Sequence, residues 1–151
     1  MLHFEGDREF ALPPEAAFAK LRDAAFLVTC IPDATVTGTP ERDRATCTVR
    51  PGVAFVRGTL DLTVTIVEAK DATASEPAAL RFLLQSKGIG TTSDVDVSLT
   101  LTAADSGTRC HWNAAVTQLG GLLKAVPSGL IRGAAQKTIE DVWAGIGEKL
   151  R

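Results

Sequence analysis

Apolar residues recur at every second position through the middle of this 151-residue chain and at every third or fourth near its end. Strands therefore give way to a helix. Residues 3–12 alternate well enough for an edge-type strand. Pro13-Pro14-Glu15 then opens a short helix, because Pro14 fits a first turn and Glu15 complements the positive helix end. Ala17, Phe18, Leu21 and Ala25 form its inner stripe. Asp23 and residues 24–28 predict a second helical turn, ended by Pro32.

From Ala34 the period is two. Residues 34–37 and 45–50 read as short strands joined by a polar turn around Pro40, and Pro51-Gly52 turns the chain again. The clearest strand follows, with Val56, Leu60, Leu62, Val64 and Ile66 on one face and Arg57, Thr59, Asp61, Thr63 and Thr65 on the other. A slip of one residue would expose that apolar set, so the alternation specifies register. Leu80, Phe82 and Leu84 continue the pattern. Val95, Val97, Leu99 and Leu101 repeat it after Gly88-Ile89-Gly90, and Cys110, Trp112, Ala114 and Val116 after Ser106-Gly107. A break is expected at Gly120-Gly121.

Residues 119–128 form a loop rich in small and apolar side chains. Beyond it, Ile131, Ala135, Ile139, Val142, Ile146 and Leu150 fall on one face of a long amphipathic helix. From Ser128 that helix would be about 34 Å long at roughly 1.5 Å per residue. The order is strand, two short helices, about six strands, long helix. Hairpin-length connections make the sheet antiparallel, so the fold class is α+β with one helix covering one sheet face. Such an arrangement tends to hold a ligand between the two layers. The length suits one domain, residues 1–151, and no repeat or linker divides it.

Composition narrows the function. Sixteen basic and eighteen acidic side chains leave a formal charge of −2, with no Lys/Arg cluster, so nucleic acid is not an expected partner. Polar residues His3, Glu5, Asp7 and Glu9 argue against a signal peptide, and no apolar run approaches the ~20 residues of a spanning helix. A soluble, cytoplasmic protein is expected. Cys30, Cys47 and Cys110 lack the paired spacing of a disulfide scaffold or zinc knuckle and read as small buried hydrophobes. Aromatics are few, six Phe and two Trp with no Tyr, so the core is built largely from aliphatic side chains.

Nothing assembles a catalytic constellation. Cys110 and His111 are successive strand residues that point to opposite faces, and His111 shares its face with Arg109 and Asn113. No metal site is expected, since the two His lie far apart in the sequence and His3 sits near the terminus. Gly88 and Gly90 lie between two strands and open no helix, so they make a hairpin and not a phosphate loop. Asp61, Asp94 and Asp96 fall on polar strand faces, where no pocket shifts their acidity. An enzyme is not expected.

The apolar set is more informative. Val56, Gly58, Leu60, Leu62 and Val64 should face the same interior as Leu80, Phe82, Leu84, Val97, Leu99, Trp112 and Ala114, opposite Ile131, Ala135, Ile139 and Val142. Small residues at Gly58, Ala114, Ala134 and Ala135 would leave space there. On the residues alone, a solid core fits equally well. Leu119, Leu122, Leu123 and Val126 read either as a greasy lid touching a membrane or as a loop folded over the core.

Several local segments, in this order, resemble one family. Cys30-Ile31-Pro32-Asp33-Ala34 is similar to a Cys-Leu/Ile-Pro-Gly-Ala segment after the second helix, and residues 55–58 to a Phe-x-Gly strand with one residue extra. Ser86-Lys87-Gly88-Ile89-Gly90 followed by Val95 resembles a glycine-rich hairpin. Gly107-Thr108-Arg109 with Trp112 resembles a Gly-Thr strand start with a later aromatic, and Leu130-Ile131 through Trp143 a closing helix. Together they resemble the helix-grip fold of START, Bet v 1 and polyketide-cyclase-like proteins, and within it the CoxG family of carbon monoxide dehydrogenase subunits, over essentially the whole chain. Asp33 stands where that family has Gly. Pro127 stands where its helix continues, so a kink or a late helix start is expected.

The resemblance implies a sheet of about six to seven antiparallel strands wrapped around the C-terminal helix, with a real cavity between them. It implies non-catalytic binding of a quinone or other lipid there, with no covalent cofactor. It further implies service to a molybdenum hydroxylase such as carbon monoxide dehydrogenase, with peripheral contact at the inner membrane face. The alternatives are a polyketide cyclase or aromatase-like enzyme, for which Ser86, Gln118 and Thr138 are the available polar residues, and a docking module that carries no ligand.

Overall fold

The computed structural model describes residues 2–50 and 58–150. The elements run β1 (Leu2–Phe10), α1 (Pro14–Leu21), α2 (Ala24–Thr29), β2 (Thr35–Thr37), β3 (Arg44–Val49), β4 (Leu60–Lys70), β5 (Ala78–Gly88), β6 (Thr91–Ala104), β7 (Gly107–Gly121) and α3 (Ser128–Lys149). Seven strands make one sheet in the order β1-β7-β6-β5-β4-β3-β2, and each neighbouring pair is antiparallel. This is the expected α+β arrangement: strand, two short helices, sheet, closing helix.

Local chemistry explains the boundaries. Pro14 occupies the first turn of α1, with Glu15 beside it and Lys20 in the last turn. The Asp23 carboxylate caps α2 by accepting from the Ala25 N–H at 3.0 Å. The helix stops at Thr29, earlier than Pro32 alone would require. Asp33 then takes a left-handed conformation with φ 57°. Asp is among the few side chains that enter this region readily, so it can replace the family's Gly without breaking the turn.

Three segments differ from the sequence reading. β4 starts at Leu60, and Gly58 precedes it with φ 101° and an exposed position. That backbone is not extended, so Gly58 does not lie on the inner face of a strand. Val56 and the Pro51-Gly52 turn fall outside the described residues. β7 does not break at Gly120 but pairs on to Gly121, opposite Thr92 and Thr91. Leu119 is therefore a strand residue, and only the 3-10 turn Leu122–Ala125 and the segment to Pro127 connect to the helix. Pro127 caps α3 with φ −55° and ψ 140°, so the helix begins after the proline and is not kinked by it.

The core lies between the sheet and its helices. Phe10 stacks on Trp143 of α3 at 6.2 Å between ring centroids, and Trp143 meets Trp112 at 5.9 Å. Ile146 and Leu150 are buried beside them. Gly145 lets α3 press onto the end of α2, where a Cβ would run into the Cys30 carbonyl oxygen. Cα to Cα, α3 comes within 8 Å of the sheet chiefly along the edge strand β1.

Candidate functional site

Cross-strand pairing arranges the inner face of the sheet in rows, because directly paired residues point the same way. From the packed end, one row is Leu80, Leu99 and Trp112; the next is Ile66, Phe82, Val97, Ala114 and Phe4. Then come Ala45, Val64, Leu84, Val95 and Val116, and finally Cys47, Leu62, Ser86, Ser93 and Leu119. Coverage is uneven within these rows: Ala45, Cys47, Leu62 and Val64 on β3 and β4 are buried. Leu80, Leu99 and Trp112 are buried, whereas Phe82, Leu84, Val95, Val97 and Leu119 are only half-buried. The half-covered strip follows β5 and β6.

The helix is also unevenly covered. Trp143 and Ile146 close one end, while Ala135, Ile139 and Val142 pack against the core only in part. Ile131 is buried near the start of the helix. Ala114 is itself buried, and the Ile89 side chain lies over Gly58, with Cδ1 3.3 Å from where a Cβ would sit. Those small residues therefore do not hold space open. The half-covered strip is made instead by larger side chains on the middle strands. Leu60, Leu62, Leu80, Phe82, Leu84, Val97, Leu99, Trp112 and Ala114 do share one face, as the alternation predicts. Val95, which the alternation also marks, and Ser93, which no apolar pattern can mark, belong to the same surface.

At the open end the apolar surface reaches solvent. Leu122 is 66% exposed, Leu130 56% and Ile89 38%, while Leu123 and Val126 are half-buried. Ile89 and Gly90 form a two-residue turn with φ 57° and 70°, the combination of a type I′ hairpin. A β-branched side chain is strained there, and Asn would be the easy choice. The mismatch between Ile and its turn type was readable in the Gly-Ile-Gly sequence.

Polar groups elsewhere make no reactive centre. Gln118 pairs with Asp94 on the outer face, and Thr138 is exposed and donates to the Ala134 carbonyl at 2.9 Å. Of the three side chains available to an enzyme, only Ser86 faces inward. On the outer face, β1 pairing brings carboxylates to His111: Nδ1 lies 3.0 Å from Asp7 and Nε2 3.5 Å from Glu5. These partners are a hundred residues distant in sequence, so no local motif announces them. They are exposed pairs of small energetic weight. Among the described residues no group of His, Cys, Asp and Glu is arranged to hold a metal. Burial pushes all three thiols up, Cys110 to about 12 with Asp7 adding to the effect. The protonated thiol is not a nucleophile.

Two surface clefts lie away from this strip. One, about 690 Å³, sits between α1, Arg42 and the β4–β5 loop; the other, about 510 Å³, lies between the α2–β2 loop and the C-terminal part of α3. None of the side chains expected to face a ligand lines either. No helix among the described residues is long and apolar enough to cross a membrane.

The fold recurs in solved structures. A conserved protein from Geobacillus kaustophilus is 20% identical with a TM-score of 0.77, covering 99% of this chain and 95% of its own. A START superfamily protein from Mycobacterium smegmatis is 11% identical with a TM-score of 0.67, covering 98% of this chain and 96% of its own. At such identity the likeness concerns the fold, which is START-like. No curated protein matches the chain significantly. The model of the CoxG family of carbon monoxide dehydrogenase subunits matches residues 6–151, and the chain belongs to that family.

Proposed function

We propose that the protein binds an elongated apolar molecule, a quinone or other lipid, between α3 and the inner face of β5 and β6. It carries that molecule in the service of a molybdenum hydroxylase of the carbon monoxide dehydrogenase type, and it breaks no bond. The observation that carries this reading is the half-covered strip of Phe82, Leu84, Val95 and Val97 beneath a helix whose aromatic anchor, Trp143, lies towards its far end. Apolar surface left partly wet is a source of affinity, at roughly 25 cal/mol per Å² before the costs of association. Lining positions are Leu60, Leu62, Phe82, Leu84, Val97, Ala135, Ile139 and Val142, with the packed Trp112 and Trp143 as the floor. The family's name, which refers to carbon monoxide dehydrogenase, supports the choice of partner.

The exposed Ile89, Leu122 and Leu130 support peripheral contact with the inner membrane face, where such a ligand would be collected. Release of cargo then requires only that the rim and the start of α3 move. The test is organic extraction of purified protein with mass spectrometry of the extract, beside native mass spectrometry of the intact chain. A stoichiometric quinone or lipid is expected. A clean chain that also takes up no added quinone overturns the carrier reading in favour of a ligand-free docking module.

A further inference from the structure

On the four inner rows described above, Ser86, Ser93 and the indole of Trp112 are the only side chains with polar N–H or O–H groups. Trp112 is buried at the packed end, with its ring across Gly6. The two serines face each other on β5 and β6, one row beyond Leu84 and Val95, in the half-covered part of the strip. Their hydroxyls are hydrogen-bonded to each other, and either can be the donor. That bond uses one of the two O–H hydrogens. The second hydrogen and the remaining lone pairs stay available to a third group.

We infer that Ser86 and Ser93 together receive a single oxygen of the bound apolar molecule, and that they accept it equally as a carbonyl or as a hydroxyl. The inference rests on the carrier reading above and adds the ligand's chemistry: a long apolar body with a ketone- or alcohol-type oxygen at one end. A hydroxyl rotates at little cost, so the pair donates to a carbonyl oxygen or accepts from an O–H without moving the backbone. An amide or a backbone group at this place would have a fixed polarity. A binding site for a molecule that alternates between oxidised and reduced forms gains from such indifference, since neither form is trapped.

The experiment is isothermal titration of the full chain with menadione, with menadiol under anaerobic conditions, and with methylnaphthalene as the oxygen-free probe. Wild-type protein is expected to bind menadione and menadiol within about threefold of each other, and both roughly five- to tenfold more tightly than methylnaphthalene, the scale of one neutral hydrogen bond. The double variant Ser86→Ala/Ser93→Ala should bring all three within about twofold while leaving methylnaphthalene binding intact. Ser93→Ala alone, a smaller perturbation, should remove at least half of the preference. Ser98→Ala, on the outer face opposite Arg81, should change nothing. Equal binding of all three probes to wild type, or an unchanged preference in the variants, overturns the role of the serines while the apolar site stands. A marked preference of wild type for one redox form overturns the indifference. Failure of every probe to bind removes the carrier reading and this inference with it.

Discussion

Leu122 donates its backbone N–H to the Gly90 carbonyl at 2.9 Å, which ties the turn after β7 to the tip of the β5–β6 hairpin. Two exposed apolar side chains, Leu122 and Ile89, are thereby held by neighbouring backbones at one end of the sheet. Neither packs into the core, so replacing them tests the rim without unfolding the protein. Leu122→Asp should lower retention on anionic lipid vesicles at least about fivefold in a sedimentation assay, the scale of one withdrawn leucine. Its thermal midpoint should stay within a few degrees of wild type. Unchanged retention would remove the membrane role of this rim.

Ile89 carries backbone strain as well as exposure. Ile89→Asn places a residue suited to the left-handed region at the first position of the turn, and should stabilise the protein by about 1 kcal/mol in urea melts. The same change should weaken vesicle retention. A variant that is more stable and less adhesive shows that the isoleucine is kept for contact and not for folding.

The packed and half-covered ends should respond differently to truncation. Trp143→Ala removes the ring shared by Phe10 and Trp112, and should cost about 3–5 kcal/mol. Phe82→Ala, on the half-buried strip, should cost about 1–2 kcal/mol, yet reduce uptake of an added quinone more than any substitution on the outer face. Differential scanning fluorimetry and ligand titration on both variants check the contrast. Equal destabilisation would mean that the strip is as tightly packed as the floor.

Alkaline pH probes the buried thiols. With Cys110 raised from 9.0 to about 12, the unfolded chain loses its proton first as pH rises. The folded state therefore binds more protons across that window, and stability falls from about pH 9 upward. Below the ordinary thiol range the contribution is constant. Urea melts between about pH 8 and pH 11 should show a shallower decline in Cys110→Ala than in wild type, whatever the absolute stability of the variant. Parallel declines would contradict the shift.

Much of this architecture is written in local pattern. The alternation through Leu62, Val64, Phe82, Leu84, Val97, Leu99 and Trp112 fixes which face is inner, and the pairing registers bear it out. The Asp23 cap and the spacing after Ser128 mark helices for equally local reasons. The extent of the β strands was less legible. Gly120 and Gly121 look like a break, but β6 offers them pairing partners, and Gly58 looks like a strand residue until its positive φ is seen. The uneven coverage is not in the pattern at all. It depends on how α3 packs over the sheet, where the Trp143 stack and the close approach at Gly145 are contacts between residues distant in sequence. The carboxylates beside His111 are likewise a product of pairing between distant strands.

The two ends of α3 differ in more than packing. Its first turn has no side-chain cap and no acidic residue, and added Cβ atoms on Gly129 and Gly133 would meet nothing within 4 Å. Its last turns hold Trp143 and Ile146, with buried Leu150 just beyond. Ile131 is the only buried side chain in the first two turns of the helix, so local opening should begin there, fraying and re-forming while the rest of the molecule stays native. Amide hydrogens there should exchange fastest within the helix. If the protein carries a ligand as proposed, its exchange would be governed by helix fraying, so Gly133→Ala, which favours helix by up to about 1 kcal/mol, should slow uptake and release of an added quinone without altering how much is bound.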